Sequence, residues 1–237
     1  MEKPVSTNKD FSLLNDKVVY DLTKFTHLDY KNHLACVVWF SGCNMRCDYC
    51  YNKEIVYAKN GNYSLNDALG FLKTRVGLLD GVVLSGGEAT NYDLVEFCKE
   101  IKKLGFKIKL DTNGTNFSNL QTLCALKLLD YVALDYKAPS YKYQRITKSN
   151  KFDEFSKSLA LLISGDIDFE VRTTLHADLL DEEDVNRIIE DLKSRAYSKT
   201  YYIQNFLDTN DNIGNLKSPR ASFDKSKLLG GMEIVWR

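Results

Sequence analysis

Six short apolar runs, at residues 33–41, 81–84, 106–110, 131–134, 169–173 and 201–204, are separated by segments whose apolar residues recur at helical spacing. The first run is apolar almost without interruption from Leu34 to Phe40, as expected of a strand covered on both faces. Between the runs, Leu65, Ala68, Leu69, Leu72 and Val76 define a helix over 65–78 with Ser64 as its cap,. Further helices are expected over 92–104, 118–128, 152–163 and 181–192, the last capped by Asp181 and acidic in its first turn,. Strand–helix alternation predicts parallel strands joined by right-handed crossovers. Six units are fewer than a closed eight-unit barrel needs, so the expected fold is α/β, an incomplete (β/α)6 barrel. A length of 237 residues suits one such domain,.

The barrel core is expected over 26–206. Before it, residues 1–25 read as a loosely held leader (1–16) and an edge strand (17–25). After it, 207–237 form an extension: a polar, turn-rich stretch at 208–222, a candidate lid or docking segment, then a short helix and a last strand at 232–236.

In parallel barrels the site lies at the carboxyl ends of the strands. Here those ends read Ser85-Gly86-Gly87-Glu88, Asp111-Thr112-Asn113-Gly114, Asp135-Tyr136-Lys137, Arg172-Thr173-Thr174 and Gln204-Asn205. Each alone has a plain explanation: Gly86-Gly87 as a tight turn, Asp111 and Asn113 as an Asx-turn, Arg172 as an ion-pair residue. Their gathering at one rim is harder to ascribe to turns. His176, just beyond the fifth strand, reads as a solvated loop histidine outside the site.

The first strand ends in Cys43-Asn44-Met45-Arg46-Cys47-Asp48-Tyr49-Cys50. Three thiolates spaced C-x3-C-x2-C can occupy three corners of an iron–sulfur cube, which usually takes four cysteines. Cys36 lies inside the preceding apolar run, and Cys98 and Cys124 are far downstream. One iron would be left open to a small molecule. Alternatives at this point are a zinc site with Asp48 or a distant His as fourth ligand, or structural thiols. Formal net charge is zero, so nucleic acid and anionic membranes have no electrostatic case as partners. Apolar runs are too short to span a bilayer and residues 1–10 lack the apolar core of a secretory signal. The six cysteines therefore read as reduced thiols or cluster ligands in a cytoplasm,.

The cysteine motif with Tyr49 before its last member, and Gly86-Gly87 after the next strand, resemble the radical S-adenosylmethionine (SAM) superfamily, whose fold is a TIM-like barrel. That resemblance implies a [4Fe–4S] cluster on Cys43, Cys47 and Cys50, with SAM chelated at the open iron. It implies further that the backbone at Gly86-Gly87 meets the SAM ammonium, with Glu88 in support, and that Tyr49, Arg172 and Gln204 contact the cofactor. Asp111 to Gly114, with Asp135 and Lys137, resembles the glycyl-radical-enzyme activating enzymes. In those, matching residues hold a monovalent cation and the SAM carboxylate and ribose. Leu28-Asp29-Tyr30, Phe40 through Tyr51-Asn52, Asp135 to Pro139, Arg172 to Leu175 and Gln204 to Phe206 extend the similarity to the longer anaerobic ribonucleoside-triphosphate reductase activating proteins. The chain departs from that pattern at Lys31-Asn32 and Tyr51.

The activity so implied is reductive cleavage of SAM to methionine and a 5′-deoxyadenosyl radical, which removes a hydrogen from a glycine of a glycyl radical enzyme, with flavodoxin or ferredoxin as electron donor. No side chain need serve as acid or base. Competing readings are a small-molecule enzyme similar to the 7-carboxy-7-deazaguanine synthases, a peptide-modifying maturase, a non-catalytic iron–sulfur carrier or redox sensor, and a zinc module.

Overall fold

The computed structural model describes residues 12–209 and 211–237. Residues 1–11 of the leader lie outside the described residues. One eight-stranded sheet runs in sequence order: β1 (Val19–Thr26), β2 (Ala35–Phe40), β3 (Gly81–Gly86), β4 (Lys107–Thr112), β5 (Tyr131–Asp135), β6 (Asp168–Leu175), β7 (Tyr201–Asn205) and β8 (Ile234–Trp236). β1 lies antiparallel to β2, and every later neighbour is parallel. The expected parallel strands are all present, and the C-terminal strand joins them as one more, with Tyr201 opposite Ile234. β1 and β8 do not pair with each other, so the sheet stays open along one side.

The helices are α1 (Ser12–Asn15), α2 (Lys53–Tyr57), α3 (Leu65–Lys73), α4 (Val95–Lys103), α5 (Phe117–Ala125), α6 (Ser140–Thr147), α7 (Phe152–Ser164) and α8 (Glu182–Ser194). α3 and α8 begin with capping boxes, Ser64 with Asp67 and Asp181 with Asp184, each satisfying orphan amides of the first turn. α3 stops earlier than expected, and turns carry the chain to Gly77 at φ +79°. α2 and α6 lie outside the expected helices. α2 has five residues and buries Val56 alone, and α6 has eight, of which Tyr143, Ile146 and Thr147 are buried, too few apolar positions to stand out.

Strand residues alternate between two environments. On β2, Cys36, Val38 and Phe40 pack into the main core under the helices, while Ala35, Val37 and Trp39 face the concave side with Tyr30, Val83 and Tyr131. The concave side is otherwise polar, carrying Lys109, Asp111, Asp135, Glu170 and Arg172 on the middle strands. It is hollow, with a chamber of about 1000 Å³. The helix side supplies stability; the hollow side supplies room for chemistry.

α6 is tied to α8. Its Tyr141 hydroxyl and Lys142 ammonium both donate to Asp184, a carboxylate fully buried on α8. Burial would raise the Asp184 pKa, but these bonds hold it below the usual carboxylate range. Lys142→Met strands that charge and is expected to cost about 3 kcal/mol of unfolding free energy. Urea denaturation measures it; a loss below about 0.5 kcal/mol would show that the pair carries no weight.

Candidate active site

The cysteine loop leaves the end of β2 and is fixed by three distant segments. The residues after it fold back, so that Gly42 N–H donates to Ile55 O at 2.8 Å and Cys43 N–H to Val56 O at 3.3 Å. The end of α6 accepts Arg46 N–H on Thr147 O at 2.9 Å and Asp48 N–H on Ile146 O at 3.1 Å. The C-terminal extension crosses the loop, with Ile213 N–H donating to Cys50 O at 3.0 Å and Gly214 N–H to Asp48 O at 2.8 Å. A Cβ at Gly214 would lie 2.8 Å from the Asp48 backbone oxygen, so only glycine lets the two backbones approach this closely. Part of the tail read as a lid is thus a strap on the cysteine loop.

β3 meets the same loop through its glycines. Gly86 has φ +114°, and a Cβ there would stand 2.4 Å from Phe40 N; one at Gly87 would stand 1.9 Å from Gly42 O. Gly87 N–H donates to Phe40 O and Glu88 N–H to Gly42 O, both at 2.9 Å. These amides are already engaged, which suits a turn that presents carbonyls to a cationic ligand. Glu88 is buried and receives Thr90 N–H at 3.1 Å, Thr90 Oγ1 at 2.6 Å, Thr112 Oγ1 at 2.7 Å and Asn113 N–H at 2.8 Å. Its carboxylate therefore ties the end of β3 to the turn after β4.

Asn113 completes that tie, donating to Asn44 Oδ1 at 2.9 Å in the cysteine loop while accepting Thr115 N–H at 3.0 Å. On β4 to β6 the charges interleave. Arg172 Nε donates to Asp135 and its Nη2 lies 3.3 Å from Asp111 Oδ2, while Lys137 Nζ is 2.9 Å from the other Asp135 oxygen. Burial alone would raise the Asp135 pKa, but Arg172 and Lys137 overcome it and bring the group to about 2. The Lys137 ammonium is held against its own burial by Asp135 and the Cys47 side.

The cysteines are free thiols, and burial pushes Cys43 to about 11, Cys47 to about 12 and Cys50 upward as well. Binding metal here would release protons. Among the described residues no three His, Cys, Asp or Glu side chains converge as ligands of one ion. A zinc site lacks its donor set, whereas a cubane takes each thiolate on a different iron. Tyr49 is buried beside them, its hydroxyl without a hydrogen-bond partner among the described residues and its ring 5.9 Å from Lys137 Nζ. An orphaned polar atom beside three thiols and a glycine turn fits a site shaped around a group larger than the side chains.

All the residues singled out from the sequence line one cavity of about 240 Å³: Cys43, Cys47, Tyr49, Cys50, Gly86, Gly87, Glu88, Asp111, Asn113, Asp135, Lys137, Arg172 and Gln204. Trp39, Met45 and Thr174 line it too without having been foreseen. Trp39 read as part of the first apolar strand, Met45 only as a member of the cysteine loop, and Thr174 only as a strand-end residue. His176 stays outside, but it is buried rather than solvated: Nε2 lies 2.8 Å from Lys217 O and the ring stacks on Phe206.

An open parallel barrel with a cysteine loop after its first parallel strand defines a class of radical enzymes. The sequence profile of the Radical SAM superfamily matches residues 37–196, and the chain belongs to that superfamily, whose members bind a [4Fe–4S] cluster and SAM. A Methanocaldococcus jannaschii protein named as a glycyl-radical enzyme activating enzyme is 30% identical, over 80% of this chain and 80% of its own length. The pyruvate formate-lyase-activating enzyme of Clostridium pasteurianum is 32% identical over 53% of this chain and 56% of its own. Among solved structures, SuiB from Streptococcus suis bound to SAM superposes with a TM-score of 0.65 at 13% identity, over 85% of this chain and 49% of that one.

The ionised form of Asp135 is the stabilising one. Its contribution is complete above about pH 4, the ordinary carboxylate range, and is lost as pH falls through about 2. The stability gap between wild type and Asp135→Asn is therefore expected to narrow by about 2 kcal/mol from pH 5 toward pH 2. Urea titrations across that range read it; a constant gap would refute the assignment.

Proposed function

We propose that the protein is an activating enzyme that removes a hydrogen atom from a glycine of a partner glycyl radical enzyme, an anaerobic ribonucleoside-triphosphate reductase. When bound, the reduced cluster supplies one electron and SAM supplies, with loss of methionine, the 5′-deoxyadenosyl radical that becomes 5′-deoxyadenosine on taking the hydrogen. Cys43, Cys47 and Cys50 would hold the cluster. The Gly86-Gly87 backbone would meet the SAM ammonium, and Arg172 and Lys137 would offer positive charge to its carboxylate. Tyr49 and Gln204 border the remainder of the cofactor, and Asp111, Asn113 and Glu88 keep the strand ends in place. Fixing the cofactor against its reaction partner is the protein's main contribution.

The observation that carries the protein-substrate reading is the pair of cavities. The cofactor cavity meets the chamber of about 1000 Å³ on the concave face through shared walls at Asp29, Arg172 and Gln204. That chamber is lined by Lys107, Tyr131, Glu170 and Tyr202, and its size suits an inserted polypeptide loop. The relatives named as activating enzymes support the same reading. A flavodoxin or ferredoxin in the cytoplasm would deliver the electron. No helix among the described residues is long and apolar enough to cross a membrane.

The test is anaerobic, with iron- and sulfide-reconstituted protein, dithionite and SAM. Wild type is expected to form 5′-deoxyadenosine and to raise a glycyl doublet in the EPR spectrum of the reductase, and Cys47→Ala to form neither. Deoxyadenosine without a doublet would reject this partner and leave small-molecule turnover as the reading. A loaded cluster that yields no deoxyadenosine would reject the enzyme altogether.

A further inference from the structure

Lys109 has no part in the scheme above, yet it is one of the least accessible charges in the protein, 5% exposed on the concave face of β4. It stands two residues before Asp111, so both side chains project from the same face. Its Nζ donates to Asp29 O at 2.6 Å and lies 2.9 Å from Asp111 Oδ1. That carboxylate oxygen is buried, and the Lys109 ammonium is the charge set against it. The other oxygen, Oδ2, receives Ser85 Oγ at 3.2 Å and faces Arg172 at 3.3 Å.

A buried carboxylate oxygen and a backbone carbonyl converging on one point are the hard-oxygen donor set of a small cation. Here the point is filled by an ammonium from the same chain. The charge count agrees. Lys109, Lys137 and Arg172 face Asp111 and Asp135 across β4 to β6, and Glu170 on the same face is paired with Arg237, so four cations face three carboxylates. A further positive ion among them would be opposed rather than attracted. We infer that Lys109 is a positioning residue that stands where a monovalent metal ion would otherwise sit, fixing Asp111 at the wall of the cofactor cavity without any added cation.

The inference rests on the radical SAM reading only for its ligand. The test measures SAM affinity of the cluster-loaded full chain by calorimetry, in potassium, sodium and N-methylglucamine chlorides at equal ionic strength. Thermal unfolding is recorded in the same buffers. Wild type is expected to show the same affinity in all three. Lys109→Ala is expected to bind SAM about tenfold more weakly in N-methylglucamine, and to recover most of that loss, together with thermal stability, in potassium or sodium. Lys109→Arg, which retains the charge, is expected to remain indifferent to the salt. A merely structural lysine would give a loss that no salt restores, and that result would overturn the inference. So would wild-type affinity or stability that depends on the metal cation. Should no SAM bind in any salt, the enzyme reading falls, while the salt dependence of Lys109→Ala unfolding still decides this one.

Discussion

Arg172 lies between two buried carboxylates, and the working face of the sheet is built outward from it. It reaches Asp135 on β5 and Asp111 on β4, and those acids in turn engage Lys137 and Lys109. Taking several charges out of water is costly, and their mutual attraction repays it only when each has partners in good geometry. The alternation of sign across three adjacent parallel strands meets that condition. A slip in register would bring like charges together, so the ladder fixes the relative heights of the strand ends as well as their polarity.

The division of labour between the faces of the sheet follows from this. Cys36, Val38 and Phe40 belong to an apolar layer that the helices cover, whereas Trp39, one residue away, borders the cofactor cavity. Glu88 shows the same economy. Four hydrogen bonds make it a brace between the end of β3 and the turn after β4, while it also borders the cofactor cavity.

Much of this was legible beforehand, because parallel strands buried on both faces write their positions as apolar runs and a barrel gathers polar groups at the carboxyl ends of those runs. The cysteines, the glycine pair and the acidic strand ends were found that way and do line one cavity. What stayed hidden was whatever lacked a period or depended on distant partners. α6 is mostly polar and its one buried stripe is only three residues long, and the strap at 212–214 is held by backbone bonds that carry no side-chain signature. Lys109 could have been noticed as a lysine inside an apolar strand, two places before an aspartate. His176 was misjudged because a loop histidine has no sequence mark of burial; the Lys217 carbonyl that it meets comes from the far end of the chain.

That strap has a consequence for how the protein is made. Cys50 and Ile213 are joined by a backbone hydrogen bond, yet a ribosome working at about 5–20 residues per second needs on the order of ten to thirty seconds to travel from one to the other. Throughout that interval the nascent chain carries its three thiols on a loop with one wall missing. The cysteine loop therefore gains this wall only after residues 212–214 have been made, and its full enclosure depends on a contact across the length of the fold rather than on local folding.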